Sequence, residues 1–272
     1  MTEAATEPLL RAHAESLWEP LSALLPGLTI EVLPSVDSTN SRLMQQARDG
    51  HTDPIVLVAQ TQTAGRGRMG KAWHSDQHRA LTFSLGLPLA PSDWSGLSLV
   101  VGLSVAQALH PEIRLKWPND LWWQQRKLGG ILVETAAMPE RRERFVVIGI
   151  GLNLQTPAPQ AVAGDGGTAM PPQAPAGLCE AFPDHADALQ PGWVLSQVVP
   201  PLVRDVLRFE HEGFAGFADD FAQRDALTGL MLNLSDGQVG RARGVDAHGG
   251  LQVQTEQGMI RVTSSTVSVR PC

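Results

Sequence analysis

Residues 65–73 read GRGRMGKAW, in which Arg66 and Arg68 alternate with Gly65, Gly67 and Gly70 ahead of Lys71 and Trp73. Guanidinium groups are planar forks that grip phosphate or carboxylate oxygens. Glycines let backbone approach a ligand closely and adopt positive φ. Such a loop can close over an anionic small molecule; taken alone, it reads equally well as a solvated basic turn. Four further runs carry reactive types: DSTN at 37–40, KWPND at 116–120, KLGGILVE at 127–134 and GIGLN at 149–153. Each has a plainer reading. Ser38 and Thr39 are common helix caps, Lys127 suits an exposed strand edge, and Asn119-Asp120 favours a turn. Gly149 and Gly151 lack the rest of a dinucleotide-binding fingerprint.

Elements must bring these runs together. Residues 8–25 carry leucines at helical spacing, and 29–33 reads as a strand. Asp37 or Ser38 can cap a helix that runs to about Arg48 and ends at Gly50. Residues 55–59 and 81–87 read as strands, 96–110 as a buried helix, and 113–117, 127–135 and 144–154 as strands. Strands and helices mix without strict alternation, which predicts an α+β fold: a mixed central sheet with helices on one side. Residues 155–191 hold seven prolines and read as a long loop or partly disordered insertion. Residues 193–225 return to helical spacing, with Pro200-Pro201 expected to begin or kink the main helix. Short strands follow at 231–234, 239–245, 251–254, 259–263 and 267–270, a pattern for a small β-barrel. The division expected is therefore 1–225 and 226–272.

The chain has 272 residues and a net charge of −7, which argues against non-specific nucleic-acid binding. Its two cysteines, Cys179 and Cys272, form no CxxC or metal-ligand spacing and suit a reducing cytoplasm. His74 and His78 are four apart, yet no acidic or histidine partner completes a metal site nearby. The N-terminus lacks a basic segment followed by an apolar run, so no secretory signal is expected. No apolar stretch approaches the length of a membrane span. Fewer than thirty residues precede the strand at Thr29, too few for an N-terminal DNA-binding domain, so no DNA partner is expected.

Taken in order, the five motifs resemble those of bacterial biotin–protein ligases, from about Asp37 to about Asn153 and more loosely to the C-terminus. The resemblance implies a catalytic fold like that of class II aminoacyl-tRNA synthetases, followed by an SH3-like β-barrel. It also implies biotin and ATP as substrates, Mg²⁺, a biotinyl-5′-AMP intermediate, and a biotin carboxyl-carrier domain as acceptor, with a cytoplasmic homodimer as the expected form and no membrane partner. By the same resemblance, Arg66, Arg68 and Lys127 supply positive charge to the reacting anions. Asp120 is a catalytic carboxylate, as a Mg²⁺ ligand or as the partner that orients the attacking amine. Ser38, Thr39, Asn40 and Gln62, with backbone from Gly65 and Arg66, meet the ureido end of biotin. Gly129, Gly130 and Ile131 line its tail, which ends near Lys127. Arg66, Arg68, Trp73, Lys116, Asn119, Asn153 and Arg270 fall to the nucleotide, Trp73 as a cover. His74 stands where relatives often have an aromatic, and Trp193 is a candidate to stack on adenine. Two other readings stand beside this one. A lipoate or octanoate ligase or transferase shares the fold, but the 65–70 and 116–120 motifs speak against it. A non-catalytic biotin-binding module does not account for Arg66, Arg68, Asp120 and Lys127 together.

Overall fold

A computed structural model of the chain describes residues 3–74, 79–139, 141–157, 174–184, 189–235, 237–263 and 269–271, with side chains at 8–263 of these. His78, Cys272, the Arg270 side chain and most of the proline-rich stretch lie outside the described residues. In chain order the elements are α1 (Glu3–Ser16), α2 (Trp18–Ser22), β1 (Thr29–Val36), α3 (Thr39–Arg48), β2 (Ile55–Gln62), β3 (Ala80–Leu89) and α4 (Leu97–Leu109). They continue with β4 (Arg114–Lys116), β5 (Asp120–Trp123), β6 (Arg126–Ala137), β7 (Arg144–Asn153), α5 (Pro191–Glu212) and α6 (Ala218–Arg224). The chain closes with β8 (Met231–Leu234), β9 (Val239–Val245), β10 (Leu251–Thr255), β11 (Gly258–Val262) and β12 (Val269–Pro271).

The large sheet has the order β1-β2-β3-β7-β6-β5-β4. Its β1–β2 pair is parallel and its other pairs are antiparallel, so it is the mixed sheet expected. Central β7 is buried on both faces, as is each of its residues after Arg144. Side chains alternate between faces along a strand. Val146, Ile148, Ile150 and Leu152 join the main core, formed with α1, α4 and α5. Phe145 and Val147 join a separate cluster with Leu43, Met44 and Ala47 of α3. Most of the helical layer thus covers one face, and α3 alone among these helices covers part of the other. The rest of that second face is left for the site.

Three local expectations change. The run read as one helix at 8–25 divides into α1 and α2. Pro200 and Pro201 lie inside α5, which starts at Pro191. Their missing N–H groups each cost about 3 kcal/mol, offset by burial of Val194, Val198, Leu202, Val206 and Phe209, each contributing about 1.5–3 kcal/mol. Asp120 belongs to β5, a strand the sequence reading missed because Asn119-Asp120 carries a turn signal.

The C-terminal strands form a five-stranded antiparallel sheet of order β11-β10-β9-β8-β12. It docks on β4 and α4: Leu227, Leu232, Ala242, Leu251 and Val253 continue the main core. The buried Trp117 indole N–H donates to the Gly249 carbonyl at 3.0 Å. The Ala226 amide donates to Leu115 O at 2.9 Å. No helix among the described residues is long and apolar enough to cross a membrane.

Candidate active site

On the face away from the main helical layer, β3, β7 and β6 place small residues side by side. Thr82 lies opposite Gly151, and Gly151 opposite Gly130; Ser84 lies opposite Gly149, and Gly149 opposite Leu132. A methyl group on Gly149 would sit 2.1 Å from Asn40 Oδ1, and one on Gly151 2.4 Å from the Trp73 indole. The floor is therefore cut away by glycine at alternate positions of one strand. Above it lies a cavity of about 230 Å³.

One end of the cavity is a neutral hydrogen-bonding network. Ser38 caps α3 by accepting from the Ser41 amide, which buries Thr39 and Asn40 at the first turn. The Thr39 amide donates to Gln62 Oε1 at 2.7 Å, and the Thr39 hydroxyl lies 3.1 Å from the same oxygen. Ser84 Oγ lies 2.7 Å from both Thr39 Oγ1 and Asn40 Oδ1. Two hydroxyl protons serve these three hydroxyl contacts, so the network offers lone pairs toward a ligand and donates to one only by giving up an internal bond. Asn40 Nδ2 is fixed by Leu132 O at 3.1 Å and Glu134 Oε2 at 3.0 Å.

The other end is charged. Lys127 Nζ and Asp120 Oδ1 are 2.7 Å apart, and a Cβ at Gly130 would lie 3.4 Å from Lys127 Nζ. Arg68 Nη1 donates to Asn119 Oδ1 at 3.2 Å. Asn119 is itself fixed, donating to Ile131 O at 2.8 Å while its own carbonyl accepts from the Ile131 amide. Burial lowers the Arg68 pKa, and the Asp120 charge acts in the opposite sense. A cation that has lost part of its hydration is one that an entering anion stabilises.

The roof is residues 65–73, folded back as a hairpin. Gly67 N donates to Lys71 O at 2.7 Å, and Trp73 N to Gly65 O at 2.8 Å. Gly65 is required by close approach, since a Cβ there would lie 2.4 Å from the Trp73 carbonyl. At the tip, Met69 adopts φ 55°, unusual for a residue with a side chain. Trp73 lies over Gly151, its indole N–H buried and without a partner among the described residues.

The motifs thus converge. Ser38, Thr39, Asn40 and Gln62 line one end of the cavity, Lys116, Asn119, Asp120 and Lys127 line the other, and Arg66, Arg68, Trp73, Gly130 and Ile131 complete it. Lys116 Nζ also lies 4.8 Å from the centre of the Trp122 ring. Four expected residues do not line it. Gly65 shapes the roof hairpin. Gly129 packs within the sheet against Gly151 O and Leu152. Asn153 is buried and donates to Ala176 O at 3.1 Å, holding a described segment within the proline-rich stretch. Trp193 packs edge-on against Phe182 and is not among the lining residues. The sequence reading missed Thr82, Ser84, Leu132, Gly149, Gly151 and the anchoring role of Glu134. Glycine at two alternate positions of an otherwise bulky strand was the available signal, because it leaves room for Asn40 and Trp73 to pack close to the sheet.

Comparison with known proteins agrees with this geometry. The sequence profile of the Biotin/lipoate A/B protein ligase family matches residues 32–153, and that of the Biotin protein ligase C terminal domain matches 232–270. The chain is 32% identical over 237 residues to the biotin--[acetyl-CoA-carboxylase] ligase of Mycobacterium tuberculosis, covering 82% of each chain. It is 30% identical over 264 residues to the bifunctional ligase/repressor BirA of Escherichia coli, covering 90% of this chain and 78% of BirA. Among solved structures, the biotin protein ligase from Aquifex aeolicus in complex with biotin and ATP superposes with a TM-score of 0.69 at 28% identity, over 91% of this chain and 100% of that one. The catalytic-family match spans the floor, the roof and both ends of the cavity, and on these grounds the chain belongs to the biotin protein ligase family.

Proposed function

We propose that this enzyme joins biotin to a lysine of a biotin carboxyl-carrier domain in two steps at this cavity. The biotin carboxylate attacks the α-phosphate of ATP; a carboxyl O–P bond forms, the α–β phosphoanhydride breaks, and pyrophosphate leaves. The ε-amine of the carrier lysine then attacks the acyl carbon; a C–N bond forms, AMP leaves, and the amine loses a proton. The observation that carries this reading is one cavity with a neutral amide–hydroxyl network at one end and Lys127, Asp120 and Arg68 at the other. The ureido group of biotin has two N–H donors and one carbonyl acceptor, which Thr39, Asn40, Gln62 and Ser84 complement. The tail runs over Gly130 beside Ile131, where no side chain obstructs it.

Both reactants of the first step are anions, so catalysis depends on preorganised positive charge. Lys127, held by Asp120, serves the carboxylate and α-phosphate, and Arg68, held by Asn119, serves the phosphates. Lys116 and Asn119 face the nucleotide. Trp73 covers the intermediate, and exclusion of water limits its hydrolysis. Asp120 also suits the carrier amine, which must shed a proton. Mg²⁺ fits the site as an ion carried on the nucleotide. Asp120 is the carboxylate among the described cavity-lining residues, and no group of three or more His, Cys, Asp or Glu among the described residues forms a resident site. When bound, the ion screens phosphate charge. Residues 1–225 form the catalytic unit and 226–272 the SH3-like one. The protein acts in the cytoplasm and as a homodimer.

The test is pyrophosphate release from Mg-ATP with biotin, lipoate, octanoate or no acid. Release with biotin alone, followed by label transfer to a carrier domain, is expected. Release with lipoate or octanoate instead overturns the substrate, and release with no acid overturns the reaction.

A further inference from the structure

Arg66 and Arg68 stand two residues apart on the roof and invite one common role, yet their surroundings differ. Arg68 points toward Asn119 and Asp120 at the charged end. Arg66 reaches across the opposite edge of the cavity, where Nη2 meets Glu134 Oε1 at 2.5 Å and Nη1 meets Ser41 Oγ at 2.9 Å. Its partners come from two further elements: Ser41 from the first turn of α3 and Glu134 from β6, on the same face as Gly130 and Leu132. The second Glu134 oxygen accepts from Asn40 Nδ2, and Asn40 Oδ1 meets Ser84. One carboxylate therefore ties the roof to the network at the neutral end.

We infer that Arg66 and Glu134 form a latch that keeps the 65–73 roof closed, and that Glu134 is a positioning residue for retention of the activated acid. Arg66 then acts on the reaction through Glu134 and Ser41, not by contact with phosphate. The pair is partly solvent-exposed, with side-chain accessibilities of 47% for Arg66 and 22% for Glu134, which suits a contact that must open for substrates to enter. The carboxylate is specific to the role. Each of its oxygens accepts one donor, whereas glutamine can accept on one side only and presents N–H groups to the other. Glu134→Gln therefore breaks either the Arg66 bond or the Asn40 bond at constant shape.

The test is a cycle of Glu134→Gln, Arg66→Gln and the double variant, with two readouts. The first is amide hydrogen exchange of Gly67, Lys71 and Trp73 in the ligand-free protein. Each single variant should raise exchange by about tenfold, the scale of one charge-assisted bond at a partly exposed site, and the double by no more than either single. The second, which rests on the proposed ligase activity, is the dissociation rate of the acyl-adenylate. It should rise by a similar factor, more than the single-turnover adenylation rate falls. Arg66→Gln occupies a loop position and keeps the test open if Glu134→Gln disturbs Asn40. Unchanged exchange in both single variants overturns the latch. So does a large loss of adenylation in Arg66→Gln that multiplies with Glu134→Gln, because Arg66 would then touch substrate directly. If the wild-type protein forms no acyl-adenylate, the proposed function fails while hydrogen exchange still decides the latch.

Discussion

The floor of the cavity lies on β3, β7 and β6, paired residue by residue from Ala80↔Asn153 to Leu89↔Arg144 and from Gly129↔Leu152 to Ala137↔Arg144. The roof closes on itself through the Gly67–Lys71, Lys71–Arg68 and Trp73–Gly65 backbone bonds, and reaches the rest of the site through Arg66, Arg68 and the Trp73 ring over Gly151. The difference teaches that shape and closure are separate assignments. The floor shapes the site by what it omits, the side chains at Gly149 and Gly151, which lets Asn40 and Trp73 pack against it, and needs a continuous ladder to hold those omissions in register. The roof has to open, so it is held by a few polar contacts that solvent can replace.

The largest effect should come from Lys127→Ala on β6. Loss of one preorganised charge at a developing anionic centre lowers rates by about 10²–10³-fold, read as biotin-dependent pyrophosphate release. A change confined to the biotin KM would remove Lys127 from the chemistry. Next is Gly149→Ala. Forcing a methyl group to within 2.1 Å of buried Asn40 costs about 2 kcal/mol, so biotin affinity measured by calorimetry should fall by about 30-fold. Gly65→Ala makes a similar collision with Trp73 O, at 2.4 Å, but in a loop that can shift; about fivefold weaker binding is expected. If Gly65→Ala proves as harmful as Gly149→Ala, the roof is as rigid as the floor and the comparison fails.

The smallest effect lies outside both regions and serves as a control. Asp225 sits where the small sheet meets β4, through its bridge to Leu115. Burial raises its carboxyl pKa, against the lowering effect of bonds from Thr228 and Leu227. A carboxyl whose folded pKa is raised penalises the folded state as pH climbs above the unfolded value near about 3.9, and fully once pH exceeds the folded value. Asp225→Asn should therefore raise Tm by ~2 °C at neutral pH, with the gain vanishing near pH 3 and pyrophosphate release unaffected. A gain that persists at pH 3 would assign the effect to packing instead of charge.

Much of the site was legible because it is local. Ser38 was readable as a cap and is one, and the 65–73, 116–120 and 127–134 motifs converge on one cavity as their shared family pattern implied. Strands β2, β3, β6 and β7 were visible as apolar runs. The misses have a common cause. The turn signal at Pro118-Asn119 is answered by a turn at 117–119, but the strand that Asp120 starts was missed, because it exists through antiparallel pairing with Lys116 and Gly130. Asn153 ends a conspicuous motif yet faces Ala176, because its orientation depends on a segment that returns much later in the chain.

The sequence by itself determined the element types along most of the described residues and the inventory of charges and hydroxyls, since periodicity, caps and turns act over a few residues. Only the tertiary structure decided which groups meet. Glu134 comes to face Arg66 from 68 positions away, Ser84 joins Asn40 from 44 positions away, and glycines at alternate positions become a floor once β7 lies between β3 and β6. Strand register and the placement of α3 on the second face set those encounters. Both are fixed by burial summed over the whole sheet, a quantity that no short stretch of sequence contains.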